Sequence, residues 1–223
     1  MLDDLLAYLH ASPTPFHAVA EARRRLDAVG FRPLAEAEPW DRLAPGAYHV
    51  TTSETNLIAF VVPADAAARG RFRIVGAHTD SPNLRLKPNA EYTVEGYAQL
   101  GVEVYGGALL NSWLDRDLGL AGRVLARGAD GALASHLVRI DRPVARVPQL
   151  AIHLDREVND KGLVLNRQDH LAPVFGLAAG ARAVTALVAE AAGVAREAIL
   201  GAELMLYDLA APTVGGPAGE FIF

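Results

Sequence analysis

The segment Arg71–Pro82 constrains the fold of this 223-residue chain more than any other. Its first part, Phe72–Ala77, is a short apolar run, which predicts a buried strand of an α/β sheet. His78 follows at the carboxyl end of that strand, where open α/β sheets collect ligands and chemistry. Asp80 lies on the same side of an extended chain and can accept the proton of the imidazole nitrogen that faces away from a metal. The segment therefore predicts a metal site at His78, or alternatively a histidine whose hydrogen bonds are satisfied within a turn.

The composition restricts the class of protein. The chain has 21 Lys and Arg against 26 Asp and Glu, a net charge of −5, with no long run of either sign. Nucleic acid and membrane surfaces are therefore poor candidates for a partner. Seven histidines and no cysteine fit a reducing compartment and restrict metal ligands to imidazole, carboxylate and water. Because the chain has neither a basic amino-terminal region nor about 18 consecutive apolar residues, we expect it to be cytoplasmic.

Periodicity and turn residues predict the other elements of an α/β chain. Leucines at helical spacing predict a helix before Pro13, and a second helix runs from Pro15 to about residue 29. Asn56–Val62 is predicted to be a buried strand next to Phe72–Ala77. After Pro88, short alternating segments separated by glycines predict a compact, mainly β module.

Two elements are predicted near the end of that module. Leu150–Leu154 has the character of a short strand. A long helix is predicted from Pro173, which suits a first helical turn, to Gly193, which suits a left-handed helix end.

Five motifs carry a resemblance to a known family. In chain order they are Ser12–Val19, Gly76–Pro82, Val102–Gly107, Trp113–Leu118 and Glu220–Phe223. Together they resemble the aspartyl aminopeptidase family of dizinc metallopeptidases, in the family's order and over nearly the whole chain. The resemblance implies an exopeptidase that removes amino-terminal residues from peptides, acidic ones in many members, with two zinc ions per complete subunit. It also implies self-association, since the family tends to build large homo-oligomers such as dodecamers.

The resemblance assigns roles to three residues. His78 matches the histidine that binds one zinc, and Asp80 matches its supporting aspartate. His153 matches a histidine that reaches into the active site of a partner subunit, where it would hydrogen-bond the substrate carbonyl or the developing oxyanion. The alternative for His153 is an interface histidine that only packs.

The same resemblance implies a domain organisation and a missing part. Residues 1–88 and 205–223 are expected to belong to a zinc-peptidase α/β catalytic domain, and residues 89–204 to an inserted, mainly β dimerisation domain. In the family, the segment matching Glu220–Phe223 is followed by the aspartate that bridges the two metals, and the other ligands lie further on. Zinc in a catalytic site normally has three protein ligands. We therefore expect this chain to be the amino-terminal part of a longer enzyme, truncated or proteolysed, and inactive alone.

The same motifs are compatible with other kinds of site. Ser81 beside His78 and Asp80 suggests a Ser-His-Asp triad, but adjacent residues on an extended chain point apart. Asp115–Asp117 is compatible with a pocket for a charged substrate and equally with an ion-pair cluster. A second class of function also stays open, a catalytically silent oligomerisation module that retains only the interface of the inserted domain. A reading frame that continues past Phe223 with an aspartate within a few residues would favour the enzyme.

Overall fold

The chain forms two compact units in the computed structural model, which describes residues 1–65 and 71–223. Unit 1 comprises Met1–Ser81 and Pro212–Phe223, and unit 2 comprises Pro82–Ala211. In sequence, unit 2 is thus an insertion between the two parts of unit 1. The predicted α/β class is confirmed, because helices and sheets both occur.

The described residues of unit 1 form two helices and two small sheets. The helices are α1 (Leu2–Ala11) and α2 (Pro15–Ala28). The strands are β1 (Arg32–Pro33), β2 (Gly46–Thr52), β3 (Asn56–Val62), β10 (Val214–Gly215) and β11 (Phe221–Ile222). β2 lies between β1, which is parallel to it, and β3, which is antiparallel, and β10 pairs antiparallel with β11.

Local sequence explains the bounds of α2. The side chain of Thr14 accepts a hydrogen bond from the main-chain N–H of His17 at 3.4 Å, which satisfies one of the free donors at the helix start. Pro15 occupies the first turn, where its missing N–H costs nothing. Gly30 follows the helix with φ +86°, a conformation that glycine adopts without strain. The helix predicted from Pro15 is therefore confirmed.

Unit 2 is built on one six-stranded antiparallel sheet. Its strands are β4 (Asn83–Val94), β5 (Tyr97–Tyr105), β6 (Leu118–Arg127), β7 (Leu133–Ala145), β8 (Val174–Leu177) and β9 (Ile199–Asp208). They pair in the order β7-β6-β9-β4-β5-β8. The helices of unit 2 are α3 (Val158–Lys161) and α4 (Val184–Ala192), and the 3-10 turns are Leu110–Trp113 and Arg196–Ala198.

One face of this sheet packs with α4 to form the core of unit 2. Leu84, Leu206 and Leu120 are register partners on three neighbouring strands, and all three are fully buried. Val188 of α4 belongs to the same cluster. Full burial of such a side chain contributes about 1.5–3 kcal/mol. Every residue of the cluster lies in unit 2, which therefore has a core of its own.

The prediction that Phe72–Ala77 forms a buried strand is wrong. This run has no regular secondary structure, and the side chains of Phe72 and Val75 are 91% and 97% exposed. A strand needs a neighbour for its main-chain N–H and C=O groups, and no strand in the described part of the chain pairs with this run. Asn56–Val62 is confirmed as a strand, β3, but it is not buried, since Ile58 and Val61 are 60% and 64% exposed.

Two predicted elements of unit 2 are also wrong. Leu150–Leu154 forms a turn instead of a strand, because the N–H of Leu154 donates to the carbonyl of Ala151 at 2.8 Å. The helix predicted from Pro173 begins only at Val184, since Val174–Leu177 pairs with β5 as β8. Tertiary pairing here outweighs a helical pattern that Gly176 and Gly180 already weaken. The predicted helix end is confirmed, with Gly193 in the left-handed conformation.

The predicted domain boundaries fall inside strands. Residue 88 lies within β4 and residue 204 within β9, whereas the compact units divide between 81 and 82 and between 211 and 212. The assignment of catalytic and dimerisation roles to these parts stays a prediction. Among the described residues, no helix is both long and apolar enough to cross a bilayer.

Candidate metal site

His78 is held by its contacts with Asp80. The Nδ1 atom of His78 lies 2.6 Å from the main-chain O of Asp80 and 3.5 Å from its Oδ1. Because a carbonyl oxygen can only accept, Nδ1 is the donor of this contact, and in the neutral ring the lone pair is therefore on Nε2. The imidazole is 81% exposed, so Nε2 is accessible to a metal ion. Sequence reasoning paired His78 with the carboxylate of Asp80, but the nearer acceptor is the main-chain carbonyl.

Thr79 anchors this segment within unit 1. Its hydroxyl donates a hydrogen bond to the main-chain O of Thr55 at 2.7 Å. Thr55 is the last residue of the turn between β2 and β3, in which Ser53 and Glu54 have φ of +52° and +60°. Two successive residues with positive φ are typical of the tight turns that join antiparallel strands. The histidine segment is therefore hydrogen-bonded to the β2–β3 hairpin, a contact that the sequence pattern did not reveal.

The described residues do not complete a metal site. No group of three or more histidine, aspartate and glutamate side chains within 1–65 and 71–223 is placed to hold an ion. His78 supplies one imidazole, and Asp80 supplies one neighbouring carboxylate. Catalytic zinc normally takes three protein ligands. The donor set of this chain therefore does not fit a zinc ion without further ligands.

His153 lies in unit 2, whereas His78 and Asp80 lie in unit 1. It occupies a turn in which the N–H groups of Leu154 and Asp155 both donate to the carbonyl of Ala151. The side chain is exposed. Its predicted action on a partner subunit stays a prediction.

The charged residues of the motif Asp115–Asp117 each contact a residue elsewhere in unit 2. Arg116 Nη1 lies 2.7 Å from Asp208 Oδ2, and Asp117 Oδ1 lies 2.5 Å from Arg146 Nη2. Oδ1 of Asp115 accepts a hydrogen bond from the N–H of Gln149 at 3.2 Å. Each charge of the motif therefore has a partner in unit 2, as the ion-pair alternative expects, and Arg116 and Asp208 also line a cavity of about 410 Å³, so the pocket alternative stays open.

The five motifs resemble those of a class of metalloproteases, and comparison with known proteins gives the family. Residues 8–223 match the model of the family described as aminopeptidase I zinc metalloprotease (M18). The chain belongs to this family, as the five motifs predicted.

Individual relatives agree with this assignment. The probable M18 family aminopeptidase 2 of Streptomyces coelicolor is 49% identical over 222 residues, which cover 99% of this chain and 50% of that protein. A cryo-EM structure of the Ape4 and Nbr1 complex matches with a TM-score of 0.92 and 36% identity, covering 98% of this chain and 46% of that one. The mApe1 dodecamer of S. cerevisiae matches with a TM-score of 0.80 and 28% identity, covering 99% of this chain and 50% of that one. The chain thus spans about half the length of the curated relatives it matches.

Proposed function

We propose that this chain contributes one zinc ligand and the subunit contacts to an aminopeptidase that uses two zinc ions to remove acidic amino-terminal residues from peptides. The observation that supports this most is the geometry of His78, whose Nδ1–H is held by the carbonyl of Asp80 so that Nε2 is free to bind metal. A carbonyl or carboxylate on the second nitrogen of a ligating histidine fixes its tautomer and raises its basicity. We therefore give His78 the role of a metal ligand and Asp80 an orienting role, which membership of a family of zinc metalloproteases supports.

The remaining ligands are proposed to come from residues outside this sequence. The support is that the described residues bring no three donors together and that relatives are about twice as long. It follows that the 223-residue chain alone has no peptidase activity.

The proposed enzyme is a cytoplasmic homo-oligomer. Residues 89–204 make the subunit contact, and His153 acts on substrate in the site of a neighbouring subunit. Support comes from the mApe1 relative, which is a dodecamer, and from the exposed turn that carries His153. The absence of cysteine supports a reducing compartment.

Complementation of two inactive variants tests the site. In a longer protein that carries this sequence, His78→Ala and His153→Ala are each expected to abolish hydrolysis of an acidic aminoacyl substrate. Co-expression forms mixed dimers in which one site has both histidines intact. If subunits mix freely, about a quarter of all sites recover activity.

His10→Ala is the matched control, because His10 lies in α1 outside the predicted site, and it is expected to keep full activity. Absence of rescue, or an active His153→Ala parent, would show that His153 does not act across subunits. An active His78→Ala parent would remove His78 from the metal site.

A catalytically silent oligomerisation module is the second candidate. One observation favours it, since unit 2 has a buried core of its own while the described residues hold no complete metal site. Co-expression of the 223-residue chain with the remaining half of a longer protein separates the two. The enzyme half then gives hydrolysis of an acidic aminoacyl substrate that depends on His78, whereas a silent module gives none.

A further inference from the structure

Asp115 has a main-chain conformation that is unusual for a residue with a side chain. Its φ is +54°, in the left-handed region. Within the described ranges, three other non-glycine residues have positive φ, namely Ser53, Glu54 and Glu95. Those three lie in the turns of the β2–β3 and β4–β5 hairpins, where this conformation is usual. Asp115 lies in no hairpin turn, so contacts of another kind must hold it in place.

Those contacts join Asp115 to the segment Val147–Gln149. The main-chain N–H of Asp115 donates to the carbonyl of Val147 at 2.8 Å. Its Oδ1 accepts a hydrogen bond from the N–H of Gln149 at 3.2 Å. Because the two bonds start from one residue and end at two positions of the other segment, they fix both the place and the direction of that segment.

The start of the segment is held from the other side as well. The N–H of Arg146 donates to the carbonyl of Val174 at 3.0 Å, and the N–H of Val174 donates to the carbonyl of Arg146 at 2.8 Å. Val147 is fully buried. The ion pair of Arg146 with Asp117 is half exposed and therefore contributes little. Main-chain bonds thus fix the segment at Arg146 and Val147, and the side chain of Asp115 fixes it at Gln149.

Gln149 leads directly into the turn that carries His153. A single residue, Leu150, separates it from Ala151, whose carbonyl closes the turn by accepting from the N–H groups of Leu154 and Asp155 at 2.8 and 3.3 Å. Within the described ranges, the imidazole of His153 makes no hydrogen bond of its own. The path of the main chain therefore decides where the ring lies.

We propose that Asp115 is a positioning residue for His153. By holding the N–H of Gln149, it directs the turn of its own chain towards the active site of the neighbouring subunit. The inference rests on the proposed function of His153, and it gives a role to a residue of the motif Trp113–Leu118 that the proposed mechanism does not use. Asp115 does not line the cavity that Arg116 and Asp208 line.

Amide hydrogen exchange of the 223-residue chain tests the geometry without any need for activity. Asp115→Gly removes the acceptor and keeps the positive φ without strain. The amides of Gln149, Leu154 and Asp155 are expected to exchange at least about tenfold faster in this variant. Asp115→Asn keeps an acceptor oxygen and tolerates the same φ, so it is expected to exchange as the unchanged chain does.

Asp130→Gly is the matched control. Oδ1 of Asp130 accepts from the main-chain N–H of Ala132 at 2.9 Å in the turn between β6 and β7, so this variant loses the same kind of bond elsewhere in unit 2. It is expected to leave the turn of His153 unchanged. The proposal is overturned if Asp115→Gly leaves the exchange of Leu154 and Asp155 unchanged. It is also overturned if exchange rises equally throughout β6, because Asp115 would then support the fold of unit 2 as a whole.

Kinetics of a longer protein that carries this sequence test the consequence for the reaction. Asp115→Gly is expected to lower kcat about 10- to 100-fold with little change in KM, because a displaced donor no longer meets the developing oxyanion. Asp115→Asn is expected to restore kcat. A loss that appears in KM alone, or a loss equally large in Asp115→Asn, would overturn the proposal.

Complementation shows through which residue Asp115 acts. Co-expression of Asp115→Gly with His78→Ala is expected to recover activity, since one site then has an intact His78 and a correctly placed His153. Co-expression with His153→Ala is expected to give no recovery, because both variants lack the same contribution to the neighbouring site. The reverse pattern, or no recovery in either cross, would overturn the proposal. If His78→Ala and His153→Ala do not rescue each other, the proposed function of His153 is wrong, whereas hydrogen exchange still decides whether Asp115 holds its turn.

Discussion

Unit 2 buries a cluster of apolar residues between its sheet and α4, whereas unit 1 leaves the largely apolar run Phe72–Val75 in solvent; single exposed apolar side chains occur in both units. Leu120 and Leu206 of unit 2 are fully buried between neighbouring strands and α4. In unit 1, Phe72, Ile74 and Val75 are 91%, 88% and 97% exposed. The two regions have similarly apolar sequences. An apolar run therefore becomes a buried strand only where a partner strand and a covering layer are also present.

The same difference bears on the candidate metal site. His78 follows the exposed run directly, and its segment is held to the rest of unit 1 by the Thr79–Thr55 hydrogen bond. A metal ligand needs support from the residues around it. The site residue therefore lies in the unit whose apolar surface is still uncovered.

The largest expected effect is on the core of unit 2. Leu120→Ala is expected to lower the free energy of unfolding by about 2–5 kcal/mol, because it leaves a cavity among buried side chains. Trp113 is the only tryptophan of unit 2 and Trp40 the only one of unit 1, so urea unfolding followed by fluorescence in a Trp40→Phe background reports unit 2.

Leu125→Ala is the matched control, on the same strand but with 38% of its side chain exposed. We expect it to cost less than about 1 kcal/mol. Equal losses of unfolding free energy for Leu120→Ala and Leu125→Ala would contradict this comparison. They would show that a buried leucine of unit 2 contributes no more to stability than a partly exposed one.

The next largest effect is expected for the exposed apolar run Phe72–Ala77, and it concerns self-association. The double substitution Phe72→Ser and Val75→Ser is expected to weaken self-association of the isolated chain by at least about tenfold, because two large apolar side chains no longer become buried between copies. Sedimentation velocity over a range of protein concentrations measures this. Val29→Ser, elsewhere in unit 1 and 73% exposed, serves as the control because it lies outside both the run and residues 89–204. Unchanged association of the double variant, or an equal loss in the control, would contradict the account.

The sequence predicted local elements better than long-range ones. α2 was predictable because Thr14, Pro15 and Gly30 determine its ends through contacts within a few residues. The strand predicted at Phe72–Ala77 failed because its structure depends on partner strands that no local pattern reports. The helix predicted from Pro173 failed for a related reason, since pairing with β5 converts Val174–Leu177 into a strand.

The candidate site was predictable in part. The order His78-Thr79-Asp80 indicated a supported histidine, and the structure places Asp80 against its Nδ1 atom. The sequence could not show that the main-chain carbonyl is the nearer acceptor or that Thr79 bonds Thr55, because both depend on the path of the chain. The ion pair of Arg116 with Asp208 was equally hidden, since 92 residues separate them.

A smaller effect is expected from pH, and it concerns unit 1. Hydrogen bonds from Arg24 and, to a smaller extent, Arg25 lower the pKa of Glu21 from 4.5 to about 2, although partial burial opposes them. A carboxyl group whose pKa is lowered by folding stabilises the folded state above its unfolded pKa. That contribution is full above about pH 4.5 and is lost as the pH falls towards 2.

Urea unfolding in a Trp113→Phe background, which reports Trp40 of unit 1, measures this loss. Glu21→Gln is expected to make the stability of unit 1 less dependent on pH between 4.5 and 2. A carboxyl-carbon NMR titration gives the pKa directly. A midpoint for Glu21 at or above 4.5 would refute the prediction.

Zinc binding by the 223-residue chain tests the central claim most directly. Calorimetry with zinc chloride, together with an assay on an acidic aminoacyl substrate, compares this chain with a longer protein that carries the remaining half. We expect no binding of two equivalents at submicromolar affinity and no turnover by the chain, since His78 is its one proposed metal ligand. In the longer protein we expect two bound zinc ions and turnover, both impaired by His78→Ala. Two equivalents of tightly bound zinc, or turnover, in the 223-residue chain would contradict it.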